Sequence, residues 1–129
     1  MTKTGALYKF FSSFGLPAYE ENSVYAMAEQ GNAPTFPYLT YEVKTDAFGE
    51  SDVFITFSLW YRTMSLIDIQ AKSDEIAAAI GRVGKFADYD NGSILIMRSS
   101  PWGQSMGDDS DDMIKRFVHN LKLRYYSNN

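Results

Sequence analysis

Two periods alternate along this chain. Leu7, Phe10, Phe11 and Phe14 recur at i, i+3, i+4 and i+7, one stripe of a helix, and Gly15 and Pro17 stop it. The stripe predicts a short helix laid on a sheet. Between Pro17 and Pro37 no period survives the interruptions of Gly31 and Pro34, so this segment reads as a long irregular connection. At most a turn or two of helix fits between Ser23 and Gln30. Connections longer than about 12–15 residues are uncommon unless they serve a function. The segment is therefore either a partner-contacting arm or a passive excursion across the sheet.

Period two takes over at Tyr38. Tyr38 to Lys44 reads as a strand, and a second runs from Val53 to about Arg62. In the second, Val53, Ile55, Phe57, Leu59 and Tyr61 point one way, and Phe54, Thr56, Ser58 and Trp60 the other. The two predict an antiparallel hairpin across a break containing Asp46, Gly49 and Asp52. A helix follows from Ser65, where Ser65 and Asp68 have the spacing of a capping box. Its inward stripe is Leu66, Ile69, Ile76, Ala77 and Ile80, with Ser73 as a small polar gap, and Gly81 sits where a helix C-terminal glycine belongs. Asn91-Gly92 predicts a type I′ hairpin joining Lys85–Tyr89 to Ser93–Ser99. The last element is the longest alternation. Phe117, His119, Leu121, Leu123 and Tyr125 share one face, and Arg116, Val118, Asn120, Lys122, Arg124 and Tyr126 the other.

The order is helix, strand, strand, helix, strand, strand, strand. It predicts one α+β domain over residues 1–129, an antiparallel or mixed sheet of about four to five strands with helices on one face.

Composition narrows the chemistry. With no cysteine, the chain has no disulfide, cysteine-held zinc, iron–sulfur cluster or thiol nucleophile, which suits a reducing compartment. His119 is the one histidine, so no pair of imidazoles forms within a chain. A phosphate-cradling glycine loop, a nucleophile elbow and a His-Glu-x-x-His spacing are all missing. His119 itself reads as a histidine half-buried in the sheet, with a general base as the alternative. No catalytic residue, cofactor or metal is expected. No apolar run approaches the roughly 20 residues needed to span a bilayer, and the first residues lack a secretory cleavage pattern. The expectation is a soluble protein, intracellular when made, with no membrane contact.

Charge is unevenly placed. The formal net charge is −4, yet residues 113–129 hold Lys115, Arg116, Lys122 and Arg124 with no acid, so all sixteen acids fall before them. Bulk charge of this sign does not hold nucleic acid. The densest run is Asp108-Asp109-Ser110-Asp111-Asp112. It has three readings: hard-oxygen ligands for a cation, though without the EF-hand pattern; a solvated loop; or a partner for the basic strand of an adjacent subunit. Just before it, Ser99 to Gly107 is a small-residue loop around Trp102. That tryptophan either anchors a protein contact or folds back on its own core. The candidate contact residues are Trp102, Asp108, Asp109, Asp111 and Asp112, with Lys115, Arg116, Lys122 and Arg124 as acceptors.

The ordered segments also resemble a known family. Pro37-Tyr38-Leu39-Thr40-Tyr41, the strand ending Leu59-Trp60-Tyr61, the helix from Ser65 to Ile80, a hairpin, Pro101-Trp102 and a long terminal strand follow one another. This series, spanning roughly Leu7 to Tyr126, resembles the tail-terminator (tail-completion) proteins of long-tailed bacteriophages. The acidic run after Trp102 matches no motif of that family. The resemblance implies a virion structural protein: an α+β subunit in a ring of about six that caps the tail tube, ends its growth and offers the surface that joins the head. Its partners would be copies of itself, the tail tube protein and head-side connector proteins, with DNA only passing through. It would assemble in the host cytoplasm and reside at the head-proximal end of the tail. The alternatives are another connector component, such as a head-completion or stopper protein; a monomeric module binding a small ligand between the sheet and the Phe10–Phe14 helix; or a metal-dependent enzyme built on the acidic loop.

Overall fold

The computed structural model describes residues 1–46, 51–107 and 111–128. Its elements are α1 (Lys3–Ser12), β1 (Ala18–Glu20), α2 (Glu21–Glu29), β2 (Tyr38–Tyr41), β3 (Val53–Arg62), α3 (Ile67–Ile80), β4 (Lys85–Tyr89), β5 (Gly92–Gly107) and β6 (Ile114–Ser127). The strands form one sheet in the order β1-β2-β3-β6-β5-β4. β1 pairs parallel with β2 and every other neighbour is antiparallel. The α+β class holds, but the sheet is mixed and six-stranded, beyond the expected four to five.

The core lies on the face that the alternations of β3 and β6 assign to it. Register sets Ile55 beside Leu121, Phe57 beside His119 and Leu123 beside Ile96, all buried. α1 lays Ala6, Leu7, Phe10 and Phe11 on this face, and α3 adds Ile69, Ser73, Ile76 and Ile80. Phe11 stacks on Tyr41 with centroids 4.5 Å apart. Lys72 ties the two helices by donating to the Phe14 carbonyl at 2.8 Å. Burial of these large apolar groups, each contributing about 1.5–3 kcal/mol, supplies most of the drive to fold.

Two elements come from the stretch read as irregular: β1, which was not expected, and α2, which lies where a turn or two of helix was allowed between Ser23 and Gln30. β1 is three residues long, too short for a period to register, and its neighbour Pro17 accepts the Leu39 N–H at 2.9 Å. α2 carries no buried residue, so no apolar stripe announces it. Its start is fixed by Glu20, whose carboxylate accepts the Ser23 N–H at 3.1 Å while Ser23 Oγ donates to the Glu20 carbonyl at 2.7 Å. α2 rests near Tyr38, Thr40 and Trp60, on the face away from α1 and α3. The expectation of helices on one face is thus corrected: one short helix covers part of the other.

Four local expectations also change. The first strand ends at Tyr41, and Glu42 instead accepts the Thr56 N–H and hydroxyl at 2.6 and 2.9 Å; Gly49 of the following break lies outside the described residues. α3 starts from Leu66 with no side-chain cap; Ser65 Oγ accepts from Ile67 N at 3.1 Å, one residue short of the Asp68 N–H that a capping box requires. The β4–β5 turn is not type I′. Tyr89 pairs with Gly92, leaving Asp90 and Asn91 at the tip, and neither of these two has the positive φ that type I′ requires. Gly92 is required for space, since a Cβ there would stand 1.8 Å from the Tyr126 carbonyl oxygen. Finally, residues 99–107, expected as a loop, form the second half of β5.

Candidate interface site

β5 is continuous but not regular. Arg98 pairs with Leu121 and Gly103 with His119, so Ser99 to Trp102 oppose Asn120 alone. This bulge has a cis bond between Ser100 and Pro101, and Asn120 Nδ2 donates to the Pro101 carbonyl at 2.8 Å. It turns Trp102 toward the core. There the indole Nε1 donates to Ser73 Oγ at 3.1 Å, and the ring meets Phe57 and His119 edge-on at 5.8 and 4.9 Å. Of the two readings of Trp102, the structure places it against its own core.

Ser73 fills the small polar gap in the α3 stripe for a physical reason. Its Oγ lies 2.8 Å from His119 Nε2 and accepts from Trp102 as well, joining helix, bulge and central strand. His119 is sandwiched between Phe57 and Phe117, with centroids 4.4 and 5.0 Å away. Burial pushes its pKa down to about 4, while backbone groups of Phe57 and Phe117 pull weakly the other way. Its Nδ1 has no hydrogen-bond partner among the described residues. A serine and a histidine at this distance resemble an activated nucleophile. Here, however, Ser73 is 3% and His119 0% exposed, with Trp102 on the remaining side of the hydroxyl. The pair is sealed within the core.

The opposite sheet face is open to solvent over much of its area. Phe54, Phe86 and Tyr126 are exposed, while α2 leans over the end near Trp60. Beneath α2 is a recess of about 140 Å³ lined by Glu21, Tyr25, Tyr38, Thr40, Trp60 and Arg116. Tyr38 stacks on Trp60 at 5.9 Å, and Trp60 Nε1 donates to Thr40 Oγ1 at 2.9 Å. The Arg116 guanidinium lies 4.7 Å above the indole. Its Nε donates to Ser58 Oγ at 3.1 Å, and Nη2 stands 4.0 Å from a Glu21 oxygen, an ion pair without a hydrogen bond. Burial raises the Tyr38 hydroxyl pKa, and Arg116 draws it partly back.

The remaining sequence-selected charges have separate fates. Asp108 and Asp109 lie outside the described residues. Asp111 pairs with Arg62 and accepts the Met113 N–H, and the Asp112 carbonyl accepts from Lys115. Arg124 pairs with Asp52 at 2.8 Å. Lys122 lies beside Phe54 on the open face and has no ion pair among the described residues. Arg116 and Trp102 therefore occupy opposite faces. Glu21, Tyr38 and Trp60 were not among the contact residues expected from sequence. The outward set of β3 contained Trp60, but its registration beside Arg116 is a long-range fact.

Two further features border this face. β4 pairs only with Gly92–Ile96 of β5, so from Met97 to Gly107 no described strand lies along the outer side of β5. A cleft of about 290 Å³ separates α1 from β4, with Lys9, Phe10, Ser13, Lys85 and Phe86 among its walls. Among the described residues no three acidic or histidine side chains gather as a metal site, and no helix is long and apolar enough to cross a membrane. Compared with known protein families, curated proteins and solved structures, the chain matches none.

Proposed function

We propose that this chain is the repeating subunit of a ring that caps a phage tail tube, as the tail-terminator resemblance implies. The observation that carries the proposal is a pair of sheet edges that no strand covers among the described residues. Along one side, β5 offers its outer edge beyond the bulge, from Gly103 to Gly107; along the other, β1 offers three residues. An open edge is a template for a strand from another chain. Two different edges on opposite sides favour head-to-tail contacts, which close into a ring when the rotation between successive copies is a whole fraction of a turn. Function then lies in binding and geometry: the ring stops tube growth and presents a surface to the head. A stopper or head-completion ring is the nearest alternative within the same class.

The test is mass in solution by light scattering over a range of concentrations, followed by mixing with tail tubes built from the tube protein of the same phage. A ring of about six subunits that binds tube ends and stops their elongation is expected. A ring that ignores tube ends and binds head-side connectors supports the stopper alternative. A monomer that binds neither overturns the assembly reading. The α1–β4 cleft favours one other reading, a monomeric ligand-binding module. Its volume sits near the lower bound of roughly 300 Å³ for small-molecule pockets.

A further inference from the structure

Arg116 differs from Lys115 and Arg124 of β6 in what it has left to give, and from Lys122 in being held over a recess. Arg124 is engaged by Asp52, and Lys115 turns to the Asp112 carbonyl. Arg116 is fixed in place by Trp60 beneath it and by Ser58 at Nε, yet among the described residues its Nη groups make no hydrogen bond. A guanidinium presents five N–H donors in a rigid fork that matches a carboxylate. Those free donors border the 140 Å³ recess. That space admits an aspartate or glutamate side chain and excludes a nucleotide. Glu21 is the resident acid, but at 4.0 Å it stops short of the fork.

We infer that the Arg116–Trp60 recess is a carboxylate-binding site whose occupant is an aspartate of the 108–112 run on a second copy of this chain. This rests on the ring reading for the identity of the occupant and on the recess geometry for its chemistry. Charge favours a second copy, because every one of the sixteen acids lies outside the basic segment 113–129. Asp111 is held by Arg62 at the end of β3 in every copy, which leaves one of the other aspartates of the run as the occupant. Glu21 acts as a placeholder that a better-placed carboxylate displaces.

A capped peptide of residues 107–112 and its all-asparagine counterpart serve as probes. The readout is the NMR signal of the Trp60 indole N–H, assigned with Trp60→Phe. The acidic peptide is expected to shift this signal, at least tenfold more weakly in Arg116→Gln and several-fold more tightly in Glu21→Gln. Arg116→Lys should behave close to Arg116→Gln, because the charge remains but the fork is lost. Thermal melts check that each variant folds. A shift unchanged by Arg116→Gln, or equal with the asparagine peptide, overturns the site. Light scattering separates the two proposals. If wild type forms rings, Arg116→Gln should move the association midpoint to at least tenfold higher concentration. Rings that are indifferent to Arg116→Gln, with no peptide shift, sink the recess and leave the ring standing. A monomeric wild type that binds the peptide through Arg116 sinks the ring and keeps the site.

Discussion

At His119 the neutral imidazole is part of the core, and acid makes it a liability. Its pKa is about 4 in the fold against 6.5 for an unperturbed histidine. As pH falls, the unfolded chain therefore takes up a proton first. The full stability is present above about pH 6.5 and declines toward pH 4, by about 3 kcal/mol from this one group. Urea denaturation at pH 7.5 and pH 4.5 should show the loss, and His119→Phe should flatten it whatever it does to stability at neutral pH. An equal slope in the variant would assign the effect to carboxylates instead. Trp102 belongs to the same cluster, so Trp102→Ala should cost about 3 kcal/mol in such denaturation curves through lost packing and an emptied Ser73 bond. From sequence alone, the same substitution would have been expected to spare the fold and weaken association.

Elements were legible where a period runs long enough to accumulate. β3 matched residue for residue because ten alternating positions also contain one fully apolar face. β6 was readable for the same reason, and α1 and α3 through their stripes. β1 was not, since it is three residues long, and α2 was legible only as a turn or two between Ser23 and Gln30, since it buries nothing. The turn between β4 and β5 shows how a correct element can carry a wrong cause. Gly92 marks the hairpin, yet it is there because β6 passes close by. Gly92→Ala should cost at least about 1–3 kcal/mol, since backbone must move to relieve the contact with Tyr126. A thermal melt within about a degree of wild type would show that β5 and β6 can separate freely there.

Over the whole molecule, the candidate site was legible only in pieces. The sequence named Arg116 and placed Trp60 on an outward face, but neither could be joined to Glu21 and Tyr38 without the register of three strands and the path of α2. Trp102 had two readings because solvation of a loop and insertion of a bulge use the same small residues. Of the acidic and basic groups taken as two opposed sets, Asp111 pairs with Arg62 and Arg124 with Asp52, and among the described residues Arg116 and Lys122 are the cations with most to offer. If the β5 edge carries assembly, Ser105→Lys, an exposed position on that edge, should lower the mass in light scattering and leave the melting temperature nearly unchanged. Full-size rings from that variant would move the contact elsewhere.

Residues 21–37 contain no buried side chain, although they join β1 to its parallel neighbour β2. The crossover is therefore a tether, while the segment before it is bolted down through Leu7, Phe10 and Phe11. Local opening of such a tether costs far less than global unfolding. Chymotrypsin should cut first after Tyr25, which is 65% exposed. The two fragments should elute as one particle in native buffer and part only in denaturant. Covalent continuity between the first helix and the sheet would then be a convenience of synthesis, with the aromatic core alone keeping the halves together.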